Sequence, residues 1–214
     1  MSEHPIRFIG ESVRAILDDR KSQTRRVIVP QPEWDEKQPN NLQAAGWKWT
    51  TKKVKLSAWP DIDDFLCELV QYCPYGKVGD LLWVKEIFRY ARIGLGCGGS
   101  ATCVDYKVDN GLINFKTKAG KYTKLKSNKD KQGRCAKWRS PIFMPKWAAR
   151  IWLETTEIRV EKINEISNKD IICEGFDTRD SFYNAIIRIN KAKNIEQFLN
   201  KWVRVISFKR AATH

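Results

Sequence analysis

Residues 11–30 read Glu-Ser-Val-Arg-Ala-Ile-Leu-Asp-Asp-Arg-Lys-Ser-Gln-Thr-Arg-Arg-Val-Ile-Val-Pro, and three local signals follow one another within them. Over 11–19, Val13, Ile16 and Leu17 fall on one face of a helix. Residues 20–26 then place four cations and two hydroxyls within seven positions. The β-branched run that follows, up to Pro30, predicts a strand. The stretch therefore reads as a short helix, a basic turn and a strand, whose apolar faces the rest of the chain must cover.

Working outward, residues 31–75 carry Pro, Asn and Trp without clean periodicity and are expected to form an irregular insertion. Strand character returns in Lys77–Tyr90, opened by the Gly79-Asp80 turn. From Ile93 the chain is Gly-rich and then Lys-rich, with ten basic residues and one acid, Asp130, between Lys116 and Arg139. This predicts a solvated loop or exposed hairpin; a compatible reading is an electrostatic arm laid along a phosphate backbone. Residues 158–163 alternate as a strand. Ser167, with Asp170 three residues on, signals the start of a short helix. A longer helix is expected over 179–201, with Phe182, Ala185, Ile186 and Ile189 facing inward, and 202–210 close the chain as a strand. Without regular alternation of strands and helices a doubly wound sheet is disfavoured. The expected fold is α+β, a small barrel-like core of strands with two or three helices. It is read as a single domain over 1–214, with a core of about 7–30, 76–90 and 138–209 and insertions of about 31–75 and 91–137.

The 214 residues include 39 Lys and Arg against 25 Asp and Glu, a net charge of +14. With 42% hydrophobic and 30% charged residues, wholesale disorder is excluded. No run of eighteen apolar residues is present, and the first ten residues lack the layout of a signal peptide, so a cytoplasmic protein without a membrane span is expected. The basic balance, with nine Trp, points to nucleic-acid or nucleotide association, so the expected partner is RNA or single-stranded DNA, or a modified nucleoside. Two His leave little for a His-based metal site or a Ser-His-Asp triad. The six Cys read as free thiols, Cys173 as a small buried hydrophobe, and their spacings fit no common zinc pattern. No metal or other cofactor is therefore expected.

The densest chemical cluster is 20–26. In an extended backbone Ser22, Thr24 and Arg26 share a face, and Lys21 joins them only from the turn before the strand. Crowding by Arg20, Arg25 and Arg26, with partial desolvation, lowers the pKa of Lys21 and makes a neutral amine accessible as a base. Thr24 then supplies the hydroxyl it activates. The alternative is a basic strand edge that simply holds phosphate. Trp83, in an alternating strand, reads as core first and as a stacking platform second. The segment Met144-Pro145-Lys146-Trp147, followed by Arg150, reads as groove lining for a stacked base, or else as a plug in which Trp147 fills the core.

Three sets of residues resemble one family. Arg-Ala-Ile-Leu-x-x-Arg-Lys-x-x-Thr-x-Arg at 14–26, Gly-Asp-x-Leu-Trp-Val at 79–84 and Val-Ile-Ser-Phe at 205–208 are similar to an ASCH domain. Cys-Pro-Tyr-Gly-Lys-x-Gly-Asp at 73–80 and Trp-Arg-x-x-x-x-Met-Pro-x-Trp-Ala-x-Arg at 138–150 resemble the larger form found in phage and prophage genomes. The resemblance implies a PUA-like barrel and nucleic-acid association. Small bacterial members hydrolyse the amide of N4-acetylcytidine with a lysine, a threonine and a glutamate, which correspond to Lys21, Thr24 and Glu174. The glutamate match rests on Ile166–Glu174, where Ile171 stands in place of a small residue. On the residues alone, Glu174 reads equally as a surface carboxylate near Lys169. Three activities follow as expectations: an amidohydrolase on N4-acylated cytidine-type bases, a non-catalytic RNA- or single-stranded-DNA-binding module, and a metal-independent ribonuclease.

Overall fold

The computed structural model describes residues 1–35, 46–59, 61–95, 99–109, 112–114, 137–190 and 192–211. Most of the Lys-rich segment, 115–136, lies outside these residues.

The protein is α+β. Its main sheet has five strands in the order β1 (Glu3–Arg7), β6 (Leu81–Lys85), β10 (Trp152–Lys162), β11 (Trp202–Arg210), β2 (Gln23–Val27). Strands β1 and β6 run parallel and the other pairings are antiparallel. The sheet is open among the described residues, with β1 and β2 at opposite edges, so the expected closed barrel is not formed. Helix α1 (Gly10–Leu17) crosses from one edge to the other, burying Val13, Ala15 and Ile16. Val13 and Ile16 pack with Ile6, Leu82, Val84, Leu153 and Ile206 of the sheet.

The long β10–β11 pair is interrupted between Lys162 and Trp202 by an excursion containing α3 (Asn168–Cys173), α4 (Arg179–Asn190) and α5 (Glu196–Leu199). Ile171, Phe182 and Phe198 of these helices pack on Val203 and Val205, on the opposite face of β11 from Ile206. The expected helix over 179–201 ends at Asn190, and α5 is separate. Phe182 and Ala185 are buried and Ile186 is partly so, whereas Ile189 is half-exposed.

Residues 31–75 are not irregular where described. They form a three-stranded sheet of β3 (Glu33–Asp35), β4 (Gly46–Thr50) and β5 (Lys55–Trp59), and a helix α2 (Ile62–Gln71). Asp61 caps α2 by accepting from the amides of Asp63 and Asp64. Phe65, Leu69, Trp49 and Leu56 form one core with Ile28 and Trp202. The strand expected over 77–90 divides at Glu86. Its second half, β7 (Phe88–Leu95), pairs with β8 (Gly99–Tyr106), and β8 pairs with β9 (Leu112–Asn114), forming a third sheet. Glu86 breaks the strand because it is buried facing the Arg150 guanidinium, and its amide bonds to Met144 sulfur. Among the described residues no helix is long and apolar enough to cross a membrane.

Candidate functional site

Two helix ends meet beneath the edge strand β2. Helix α1 closes with a left-handed residue, Asp19 (φ 55°), while Asp19 N–H donates to Ile16 O at 3.1 Å and Arg20 N–H to Ala15 O at 2.8 Å. That is a Schellman closure. It turns the chain sharply, so Lys21 follows in a turn whose amide also donates to Ala15 O. Helix α3 opens with the expected capping box between Ser167 and Asp170. It closes in the same way as α1: Gly175 (φ 84°) donates to Ile172 O and Phe176 to Ile171 O. Ile171 and Phe176 pack in one cluster, the apolar contact that accompanies this motif. Only glycine fits at 175, because a Cβ there would lie 2.9 Å from the Cβ of Ala15 and 3.2 Å from that of Lys21. The two ends are tied together by Ser22 N–H donating to Cys173 O at 2.9 Å.

Glu174 is the C-cap residue of α3, so its carbonyl and its carboxylate are both available. Lys21 Nζ donates to the carbonyl at 2.7 Å and to Oε2 at 2.6 Å. Lys21 is 5% exposed and Glu174 4%. Burial lowers the pKa of Lys21 below the usual lysine range; Glu174 opposes this and Arg26 and Arg25 add to it. Arg20, expected to crowd the amine, instead points to solvent beside Asp18. The reading of Glu174 as a surface carboxylate is likewise corrected, since it faces Lys21 and Arg25 in the interior.

Strand β2 supplies the remaining groups. Arg25 is clamped by carboxylates, Glu161 through Nε at 2.9 Å, Asp170 at 3.4 Å and Glu174 at 3.3 Å. Burial raises the pKa of Asp170, but its bond to Ser167 and the charges of Arg25 and Arg159 outweigh that and hold it down at about 2. Arg26 faces the other way, with its guanidinium 5.0 Å from the Phe8 ring and Nη2 donating to Arg7 O at 2.6 Å. Its buried Nε has no partner, and burial lowers its pKa. Thr24 shares the Arg26 face, opposite Ile206, and its hydroxyl takes no part in the Lys21–Glu174–Arg25 bonds.

These residues line one cavity of about 420 Å³. Lys21, Thr24, Arg25, Arg26 and Glu174 form its polar side, while Phe8, Phe176, Phe182 and Ile186 are among the apolar walls. Ser22 O accepts from Phe208 N–H and Ile28 N–H donates to Trp202 O. By the alternation of an antiparallel ladder, Thr24 and Arg26 are therefore bonded to β11, and the backbone groups of Arg25 and Val27 point toward the open edge. The cavity thus combines an apolar slot with a strand edge able to donate and accept.

The remaining expected site residues do not line this cavity. Trp83 is half-buried in β6, with Lys85 Nζ 5.2 Å from its ring. Met144 is 2% exposed and packs with Phe88, Val104 and Tyr106, so it is core and not groove lining. Arg150 makes two bonds to Glu86 and one to Asp109, which accounts for it structurally. Lys146 pairs with Glu3 and lies over Trp152. Trp147 stacks on Tyr90 at 6.1 Å and stays 43% exposed, so it does not plug the core. Ser140 and Pro141, at the start of the same segment, do reach the cavity, as does Arg7. Sequence reasoning missed Arg7, Phe8 and the aromatic walls; the first two had a signal in their place just ahead of the helix–turn–strand unit.

Cys67, Cys73 and Cys173 are free thiols, with Cys173 only half-buried. Cys97, Cys135 and the side chain of Cys103 lie outside the described residues. Among the described residues no group of His, Cys, Asp or Glu is placed to hold a metal ion. The chain matches no protein-family model, no curated protein and no solved structure.

Proposed function

We propose that the protein is an ASCH-type, PUA-like amidohydrolase acting on N4-acylated cytidine-type bases, with Lys21, Thr24 and Glu174 as its catalytic groups. The observation that carries this reading is a lysine and a glutamate from distant parts of the chain, buried together on the wall of a cavity that Thr24 also lines. Burial favours the neutral amine, the form a general base needs.

The chemistry proceeds in two halves. Thr24 Oγ1 attacks the amide carbonyl carbon and its proton passes to Lys21 Nζ. The oxyanion forms toward the Arg26 guanidinium, which has no carboxylate within ion-pair distance among the described residues. Lys21 returns the proton to the departing exocyclic amine, leaving an acyl-threonine ester. Water then gives a proton to Lys21 and attacks the ester; the carboxylic acid leaves and Thr24 regains its proton. Glu174 holds Lys21 in place and stabilises the ammonium that forms when Nζ takes up the proton. The apolar slot and the free edge of β2 suit a planar heteroaromatic base, which needs both a face to stack on and donors and acceptors at its rim.

A second reading, a binding module without turnover, is favoured by the resting geometry, in which Nζ is engaged by two oxygens of Glu174. Acetate release from N4-acetylcytidine decides between them. Turnover by the wild type that falls at least a hundredfold in both Lys21→Ala and Thr24→Ala, with folding intact by circular dichroism, supports the enzyme. Oligonucleotide binding without acetate release supports the module, and shortened RNA would indicate a ribonuclease.

A further inference from the structure

Arg26 is held differently from the other guanidiniums of the interior. Arg25 and Arg150 each pair with carboxylates, but among the described residues no carboxylate lies within ion-pair distance of Arg26. Its cross-strand neighbour on β11, Arg204, makes the closer comparison. Arg204 lies 5.4 Å from the Trp49 ring and spends Nε and Nη2 on the carbonyls of Leu69 and Tyr72. Arg26 spends Nη2 on Arg7 O and keeps a buried Nε without a partner. What receives its cation is aromatic, the Phe8 ring at 5.0 Å and the Tyr75 ring at 6.0 Å.

Both rings are fixed. Phe8 is buried, its N–H donates to Lys85 O at 3.2 Å, and its ring is braced edge-on by Phe208 at 6.1 Å. The same ring lies 5.9 Å from Lys21 Nζ. Tyr75 belongs to the stretch 73–80, which the proposed chemistry leaves without a role, and packs against the core of the main sheet. It sits in a turn closed by Gly76 N–H donating to Cys73 O at 3.2 Å. Gly76 is left-handed (φ 87°), and a Cβ there would lie 2.6 Å from the His4 ring, so the turn has one conformation open to it. An aromatic face attracts a cation without taking an N–H from it and without a carboxylate's full counter-charge. The guanidinium so held keeps both its field and a donor for charge that develops later.

We infer that Phe8 and Tyr75 are positioning residues, a two-ring clamp that presents the Arg26 guanidinium to the oxyanion with its Nε–H unspent. The inference rests on the proposed role of Arg26 and names the residues that place it. Thr24 lies two positions before Arg26 on the same face of β2, so a carbonyl under attack by Thr24 turns its oxygen along the strand toward that guanidinium. The neutral carbonyl of the bound amide gains little from the cation and the tetrahedral oxyanion gains much. The clamp therefore acts on kcat and leaves KM nearly unchanged.

The test uses the full chain and two readouts, the kinetics of acetate release from N4-acetylcytidine and the NMR resonance of the Arg26 Nε–H, identified by its absence in Arg26→Gln. Phe8→Leu is expected to lower kcat about tenfold and Tyr75→Leu about threefold, with KM moving less than about twofold. Phe8→Tyr, which keeps the aromatic face, retains most of the wild-type kcat. In an Arg26→Gln background neither leucine variant lowers the residual kcat further. The Nε–H resonance, displaced by the ring current of Phe8 in the wild type, moves back toward the ordinary arginine position in Phe8→Leu. Should Phe8→Leu fail to fold by circular dichroism, the half-buried Tyr75 carries the same comparison. Equal losses of kcat with and without Arg26 make the rings merely structural and overturn the inference, as does a resonance that stays in place in both ring variants. A resonance that moves in a protein releasing no acetate sinks the amidohydrolase reading and leaves the clamp standing. Acetate release that Arg26→Gln does not slow does the reverse.

Discussion

A charged lysine taken out of water is costly unless its partners are fixed before it arrives. Lys21 meets that condition through a single residue, since Glu174 offers both its carbonyl and its carboxylate. Replacing Glu174 with Gln leaves Lys21 and one nitrogen of Arg25 facing a neutral amide in the interior. Removing one partner of a buried pair costs about 3–5 kcal/mol, and the surviving carboxylates on Arg25 place this variant near the lower end, about 3 kcal/mol by urea denaturation. In the proposed mechanism the same pair sets the pH dependence of the rate. A base must be neutral, so the rate is expected to rise with pH, with burial bringing the midpoint of that rise below the ordinary lysine value of 10.5. Glu174 raises the pKa of Lys21, so Glu174→Gln moves the limb to still lower pH even as the rate falls. A pH–rate profile of the residual activity measures this, and a limb that stays put or moves upward contradicts Lys21 as the base.

At the scale of the element, the site depends on two short turns of left-handed backbone that differ in one respect. Gly175 is crowded as well as left-handed, so Gly175→Ala forces apart Ala15 and Lys21. It is expected to cost about 2–3 kcal/mol, combining the backbone penalty with displaced packing, and to reduce acetate release in parallel. Asp19 has the same backbone sign but is exposed and holds only a surface pair with Arg210. Asp19→Gly is therefore expected to be neutral or to stabilise by about 0.5 kcal/mol in the same assay. Much of this was legible in the residues: the α1–turn–β2 unit, the Ser167–Asp170 cap and the closing strand all follow from local signals. The partners of Arg25 were not, because Glu161, Asp170 and Glu174 lie more than 130 positions away in sequence, and only the pairing of β10 with β11, for Glu161, and the excursion between them, for Asp170 and Glu174, bring them to β2. Met144 and Arg150 misled for a related reason. A Pro-broken aromatic stretch looks like a surface, but a buried Glu86 draws Arg150 inward and Met144 seals the same pocket.

At the scale of the whole molecule, the main sheet separates two apolar bodies that share β11, one with α1 and one with α3 to α5. Phe182 belongs to the second and also walls the cavity, so packing and binding are coupled through it. Phe182→Ala is expected to cost about 3–4 kcal/mol by denaturant titration and to weaken nucleoside binding beyond detection. The segment over 31–75 escaped sequence reading because its Trp and Phe side chains pack between β4, α2 and β11. Residues enclosed from several sides show neither the twofold nor the 3.6-fold pattern of a half-buried element. That Glu174 caps α3 has one more implication. Fraying the last turn of so short a segment withdraws the acceptor pair around the amine together, not by degrees. The Lys21 site is thus an all-or-none gauge of whether six residues are wound, and slowed solvent exchange at the Gly175 and Phe176 amides is expected to mark the molecules in which it is assembled.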